Sequence, residues 1–302
     1  MNYRHAFHAG NHADVLKHIA LLAVCDALTA KPAPCFALDT HAGRGLYQLD
    51  ADAAQRTGEA EGGIAQMTGR FRGQAPQVPQ SAAIARYLAA ISACRNQHGP
   101  QTYPGSPWLL AHALREQDRI ACCELQPEEA VELKRQLGGE AHVAVHQRDG
   151  YAAVKALLPP KLGAVRFARG LVLIDPPYEA QLDEFEQILD ALRSGLQRWP
   201  QATFMLWYPI KQRLTLRPFF RRARNLPAKQ LLVAELLVRP DDSPLRMNGS
   251  GLLICNPPWK LDETLTPAVR ELQKTMGEKG SFSRVEWLEP APGSLRSPSR
   301  GS

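Results

Sequence analysis

Apolar positions recur along this chain in two rhythms. In ADVLKHIALLAVCDALTA they fall at Val15, Leu16, Ile19, Leu22, Ala23 and Ala27, the period of an α-helix. Two further helices are predicted, SAAIARYLAAISACRNQ, stopped by His98-Gly99-Pro100, and SPWLLAHALRE, with Ser106 as N-cap and Pro107 at its first position. The second rhythm is a set of short apolar runs: APCFALD, RIACCEL, HVAVHQRDG, LVLID, ATFMLWY, KQLLVAELLV and GLLICN. Runs of this length without helical period are strands buried on both faces. PEEAVELKRQL, LDEFEQILDALRSGLQRW and the region IKQRLTLRPFFRRARN separate them as helices. The last two runs, joined by RPDDSPLRMNGS, are predicted to pair as an antiparallel hairpin. Strands alternating with helices imply an α/β fold with a mostly parallel sheet covered on both faces.

One interval is too long for a single crossover. Between Asp39 and Glu124 a βαβ unit needs little more than one helix, so residues 51–99 are predicted to be a helical insertion. The main domain is then discontinuous, 1–50 with 100–289, and EPAPGSLRSPSRGS, rich in Pro, Ser, Gly and Arg, makes 290–302 a disordered tail.

Composition changes this picture little. Of 302 residues, 44% are hydrophobic and 22% charged, ordinary for a globular protein, and the net charge of +6 leans only weakly towards a nucleic-acid partner. The six cysteines show no C-x-x-C spacing and are expected to be reduced and buried. The N-terminus lacks the pattern of a secretory signal, and IALLAVCDAL, broken by Asp26, is too short to span a bilayer. A cytoplasmic protein without a membrane partner is expected.

The chemistry sits at the strand ends, where open α/β sheets bind ligands. In order these carry Asp39-Thr40-His41-Ala42-Gly43-Arg44-Gly45, then Glu124, then Asp149-Gly150, then Asp175-Pro176-Pro177-Tyr178. Glycines let a backbone approach a ligand closely, and an acidic residue after the next strand suits ribose hydroxyls. A nucleoside-containing cofactor follows. Asp-Pro-Pro-Tyr narrows the chemistry, because it resembles the (Asn/Asp/Ser)-Pro-Pro-(aromatic) motif of amino-methyltransferases. An exocyclic amine such as adenine N6 shares its lone pair with the ring and is a poor nucleophile. Two fixed acceptors, the Asp175 carboxylate and the Pro176 carbonyl, hold its hydrogens and turn the lone pair towards a methyl sulfonium. Tyr178 offers a ring on which an extruded base stacks.

Three features compete. Asn256-Pro257-Pro258-Trp259 matches the same pattern but lies beyond the closing hairpin; a structural role is expected, with Trp259 packing. Pro34-Cys35 matches the nucleophile of cytosine-C5 methyltransferases but begins a strand, and Cys35 reads as core. His8 and His12 have the i, i+4 spacing of zinc ligands, yet Gly10-Asn11 breaks the helix between them and no Cys or Glu nearby completes a set. No metal is expected. A metal-dependent hydrolase using the N-terminal histidines, and a DNA adenine-N6 methyltransferase, are the alternatives. The basic run Arg221, Arg222 and Arg224 is a candidate for phosphate contacts.

YRHAFHAGNHADVLKH, LDTHAGRGLYQL, YPGSP, LIDPPYE, WYP and NPPWKL, in this order, resemble the large-subunit (23S) ribosomal RNA adenine-N6 methyltransferase family, RlmJ-like, from about residue 3 to 289. The resemblance implies a class I S-adenosylmethionine-dependent fold: a Rossmann-like, mostly parallel seven-stranded sheet with a closing antiparallel hairpin and a small helical insertion. It implies a monomer that methylates one adenosine of 23S ribosomal RNA, naked or in an early assembly particle, and yields S-adenosylhomocysteine. Carried over by motif, Asp175, Pro176 and Tyr178 are catalytic. Lys17, His18, His41, Ser106, Glu124, Asp149, Gly150 and Asp175 meet the cofactor. Tyr3, His5 and Tyr178 meet the substrate base.

Overall fold

Eight strands form one sheet, parallel on one side and antiparallel on the other, in a computed structural model that describes residues 8–51, 58–69, 78–163, 165–178, 181–245 and 247–289. Tyr3, His5 and the tail from residue 290 lie outside the described residues, as do 52–57 and 70–77 of the expected insertion.

The first half of the chain runs α1 (His12–Thr29), β1 (Phe36–Asp39), β2 (Leu46–Gln48), α2 (Ala82–His98), β3 (Thr102–Pro104), α3 (Ser106–Ala113) and β4 (Arg119–Glu124). It continues with α4 (Pro127–Leu137), β5 (Val143–Gln147), α5 (Gly150–Leu157), β6 (Gly170–Ile174), α6 (Gln181–Arg198) and β7 (Thr203–Ile210). The last elements are α7 (Arg217–Ala223), β8 (Leu231–Leu237), β9 (Gly249–Cys255), α8 (Leu261–Met276) and β10 (Phe282–Trp287).

The sheet order is β10-β8-β9-β7-β6-β1-β4-β5. The strands β5, β4, β1, β6 and β7 are parallel; β9, β8 and β10 are antiparallel additions. The sheet therefore has one strand more than the seven expected. The hairpin β8–β9 forms, but β10 pairs along β8 and takes the edge. Its sequence FSRVEW is half polar and only partly buried, as an edge strand can be, so it lacks the apolar run that marks the others.

Alternation along each strand feeds two cores. Leu171 and Leu173 of β6 face the layer of α1, α2, α3, α4 and α8, while Val172 and Ile174 face α5, α6 and α7. Helix α1 is buried nearly all round, which its lack of a polar face foretells. Val15, Leu16, Ile19 and Leu22 are no more than 1% exposed, and each contributes about 2 kcal/mol of burial. Asn11 caps α1, its side chain accepting from the backbone N–H groups of Ala13 and Asp14.

The described residues of the interval 51–99 pack into the same core. β2 pairs with β3 at its neck, α2 packs on α1 and α8, and Ile84, Tyr87 and Ile91 join the α1 side of the core. The helix expected over IKQRLTLRPFFRRARN is shorter, because β7 extends through Pro209 and Ile210 and a single 3-10 turn, Arg213–Leu216, precedes α7.

The two motif decoys are resolved by strand direction. Asn256 ends β9, which runs antiparallel, so it lies at the edge of the sheet opposite Asp175. There its side chain donates to the carbonyls of Pro200 and Ala202 and accepts from the Lys229 N–H. It staples three chain segments. Trp259, expected to pack, is instead 88% exposed. Cys35 is buried, and all six cysteines are free.

Candidate active site

The carboxyl ends of β1, β4, β5 and β6 open onto one cavity. β4 lies on one side of β1 and β6 on the other, so the crevice is the switch point where open α/β sheets take ligands. Lys17, His18, His41, Ser106, Glu124, Asp149, Gly150, Asp175 and Pro176 all line it. These residues are brought together by four strand ends, the middle of α1 and the start of α3.

Asp175 follows the last residue of β6, where Pro176 and Pro177 end the ladder for want of N–H donors. Its Oδ2 accepts from Lys17 Nζ at 2.5 Å, and Lys17 also donates to Asp14 Oδ1 at 2.8 Å. Asp14 Oδ2 in turn accepts the Gly10 N–H at 2.9 Å. Burial alone would discharge the Lys17 ammonium; the two carboxylates override it and hold the proton more firmly than water does. Among the described residues no hydrogen bond engages Asp175 Oδ1, which leaves that oxygen for a ligand.

The glycine loop after β1 is held from β4. Glu124 accepts the Gly43 N–H at 2.8 Å and the Gln126 N–H at 2.7 Å, and burial raises its carboxyl above the ordinary range. Gly43 has φ +61°, and a Cβ there would fall 2.2 Å from the Tyr47 hydroxyl. Asp149 caps α5 through Ala152 N–H at 2.7 Å. At Gly150 a Cβ would meet the Thr40 carbonyl oxygen at 2.1 Å, so glycine is what lets α5 begin against the end of β1.

The histidines serve different purposes. His41 Nδ1 lies 2.7 Å from Thr40 Oγ1; that hydroxyl donates to Leu173 O, so the ring nitrogen is the donor. Burial lowers the His41 pKa to about 4. His18 bonds the Tyr103 hydroxyl at 3.0 Å and stacks on that ring. His8 pairs with Glu59 at 2.9 Å, while His12 is buried with its pKa lowered to about 4 by desolvation. The spacing that suggests zinc is thus divided between a surface ion pair and the core. Among the described residues no group of three His, Cys, Asp or Glu is placed to hold a metal.

Three placements differ from sequence expectation or go beyond it. Ser106 is not an N-cap: Gly105 holds that position, and Ser106 is the buried first residue of α3. Asp39 is fully buried, pushed up to about 7 by desolvation and further by Asp175, against the opposing pull of Ser106 and Lys17. Tyr178 does not line the cavity; its hydroxyl donates to the Trp207 carbonyl at 2.8 Å and its ring meets Phe185 and Trp207 edge-on. Tyr47, Glu129, Tyr151, Glu184 and Gln187 also line the cavity and escaped sequence reading. Glu184 and Gln187 carried one usable signal, an i, i+3 polar pair in the first turns of the helix that follows Asp-Pro-Pro-Tyr.

Among the described residues no helix is long and apolar enough to cross a membrane. A family model described as "Ribosomal RNA large subunit methyltransferase D, RlmJ" matches residues 32–289. The chain is 38% identical over 293 residues to ribosomal RNA large subunit methyltransferase J of Haemophilus influenzae, covering 96% of this chain and 99% of the relative. It is 34% identical over 291 residues to the protein of the same name from Escherichia coli K12, with coverage of 96% and 99%. Among solved structures, the Legionella pneumophila protein LPL1258 aligns with a TM-score of 0.79 at 31% identity, covering 92% of this chain and 98% of that one. With its sheet, strand-end crevice and near full-length relatives in agreement, the chain belongs to the RlmJ family of ribosomal RNA large subunit methyltransferases.

Proposed function

We propose that the protein transfers a methyl group from S-adenosylmethionine to the exocyclic N6 of an adenosine in 23S ribosomal RNA, as a metal-free cytoplasmic monomer acting on naked RNA or an early assembly particle. The observation that carries this reading is the position of Asp175: a carboxylate with one oxygen fixed by Lys17 and the other unengaged among the described residues, at the rim of a crevice walled by glycine backbone and acidic acceptors. The names of the relatives support large-subunit RNA as the substrate class.

The residues of the crevice fit a nucleoside sulfonium. Gly43 and Gly150 bring bare backbone to the crevice wall, Glu124 offers acceptors for ribose hydroxyls, and Asp149 offers one for an adenine amine. Lys17, His18, His41 and Ser106 would face the methionine end. Bound there, S-adenosylmethionine supplies an electrophilic methyl on sulfur. The chain then has to present the amine. Asp175 Oδ1 and the Pro176 carbonyl accept its two hydrogens, which pyramidalises the nitrogen and frees its lone pair. On methylation the nitrogen would carry one proton too many, and the Asp175 carboxylate would accept it. Tyr178, tied to Trp207 and outside the cofactor crevice, suits the base side. Tyr3 and His5 are proposed to meet the same base.

The test is methyl transfer from labelled S-adenosylmethionine to an unmodified 23S transcript, with duplex DNA as a competing substrate and digestion to nucleosides. N6-methyladenosine in RNA supports the reading. Label in DNA alone, or in a different RNA nucleoside, refutes it.

A further inference from the structure

Beyond the crevice, a second groove runs between α7 and the antiparallel edge of the sheet. Arg213, Arg217, Arg221, Arg224, Arg284 and Trp287 line it. Its floor is built rather than incidental. Glu235, fully buried in β8, accepts from Arg284 at 2.7 and 2.9 Å and lies 3.4 Å from Arg213. Each guanidinium then lies over a ring, Arg213 over Phe282 at 4.3 Å and Arg284 over Phe220 at 5.7 Å.

Above this floor Arg217, Arg221 and Arg224 stand on one stripe of α7, at i, i+4 and i+7 over about 10 Å of axis. All three are exposed, and among the described residues none has an ion-pair partner. Arg222 is different: it turns away to pair with Glu186 at 2.6 Å. Five arginines thus face the groove against two lining carboxylates, Asp241 and Glu286, with Glu235 buried beneath. Trp287, 41% exposed, adds a ring at one end.

We infer that this groove binds the phosphate backbone of the RNA substrate and feeds the target nucleoside to the crevice. A row of unpaired guanidiniums beside an exposed ring matches a polyanion with stackable bases. The groove and the crevice share no lining residue, but packed helices link their walls. α7 packs on α6 through Phe185 and Phe219, stacked at 4.7 Å, and α6 carries Glu184 and Gln187 into the crevice wall. Arg213 follows the end of β7, the strand next to β6 and Asp175. The inference rests on the proposed methyl transfer to RNA.

The test uses the full chain and an unmodified 23S transcript, with affinity measured across a salt series and steady-state methyl transfer beside it. The triple variant Arg217→Gln, Arg221→Gln, Arg224→Gln is expected to make log K against log [salt] shallower by about 2, at roughly 0.7 for each single-strand phosphate no longer neutralised. It should raise KM for RNA at least tenfold, with kcat and S-adenosylmethionine affinity kept. The same positions changed to Lys should keep the wild-type slope, and Arg222→Gln should change neither slope nor KM. A triple Gln variant that binds cofactor normally and shows the wild-type slope and KM overturns the groove assignment. A wild-type protein that methylates no RNA instead overturns the reading beneath it.

Discussion

Lys17 Nζ stands 2.5 Å from Asp175 Oδ2 and 2.8 Å from Asp14 Oδ1, joining two elements 158 residues apart in the chain. A buried ammonium shared by two carboxylates is a positioning device. It fixes the rotation of the Asp175 carboxylate and leaves one oxygen outward. Removing it strands two acidic groups with little water.

Lys17→Met is therefore expected to destabilise the fold by about 3–5 kcal/mol, the cost of breaking a buried pair from one side. It should also reduce methyl transfer by far more than it reduces RNA affinity. Denaturant unfolding and single-turnover rates would check both, and a variant as stable as wild type would show that the pairing has no structural weight.

Asp39 supplies a pH dependence with a defined sign. Its folded pKa is raised to about 7, above the ordinary 3.8, so the folded state binds its proton more tightly than the unfolded chain. The stability this contributes is full below pH 3.8 and is lost progressively as pH rises through about 7. Asp39→Asn imitates the protonated form. Thermal unfolding should find its stability advantage over wild type larger at pH 8 than at pH 5; the same gap at both values would exclude a titrating Asp39.

At Gly150 the constraint is steric. Gly150→Ala places a methyl 2.1 Å from the Thr40 carbonyl oxygen, a backbone atom that cannot swing aside. A loss of about 1–3 kcal/mol is expected, with weakened S-adenosylmethionine binding, because α5 must move off β1. Calorimetric titration of the cofactor would show it, and unchanged affinity would mean that the start of α5 does not touch the ligand.

Tyr178 separates two roles by two substitutions. Tyr178→Phe loses only the hydroxyl bond to Trp207, about 1 kcal/mol of stability, and should keep RNA affinity. Tyr178→Ala also loses the ring and should weaken RNA binding by about 1–3 kcal/mol. Equal RNA affinity in both variants would remove Tyr178 from the base-binding surface.

Much of the fold was legible because buried parallel strands are written as apolar runs and end on residues that proline, glycine or acid groups mark. LVLID and RIACCEL are of this kind, and their ends meet at the crevice. FSRVEW was not legible, since an edge strand needs only one apolar face. Nor was the fate of Asn256-Pro257-Pro258-Trp259, because a motif shows a strand end but not the direction of the strand. Ser106 looked like a cap because Ser before Pro commonly is one; it is instead the first residue of α3, which packs against β1 through a long-range pairing that local sequence does not show. The same long-range pairing hid the Lys17–Asp175 contact and the two arginines gathered by Glu235.

The most direct test of the account is single-turnover methyl transfer to 23S RNA by Asp175→Ala beside wild type, with S-adenosylmethionine affinity measured on the same preparations. Loss of an acceptor aimed at the transition state costs on the order of a hundredfold to a thousandfold. The account predicts a loss at least that large, with cofactor binding kept and N6-methyladenosine formed by wild type alone. Transfer by Asp175→Ala at the wild-type rate would contradict it.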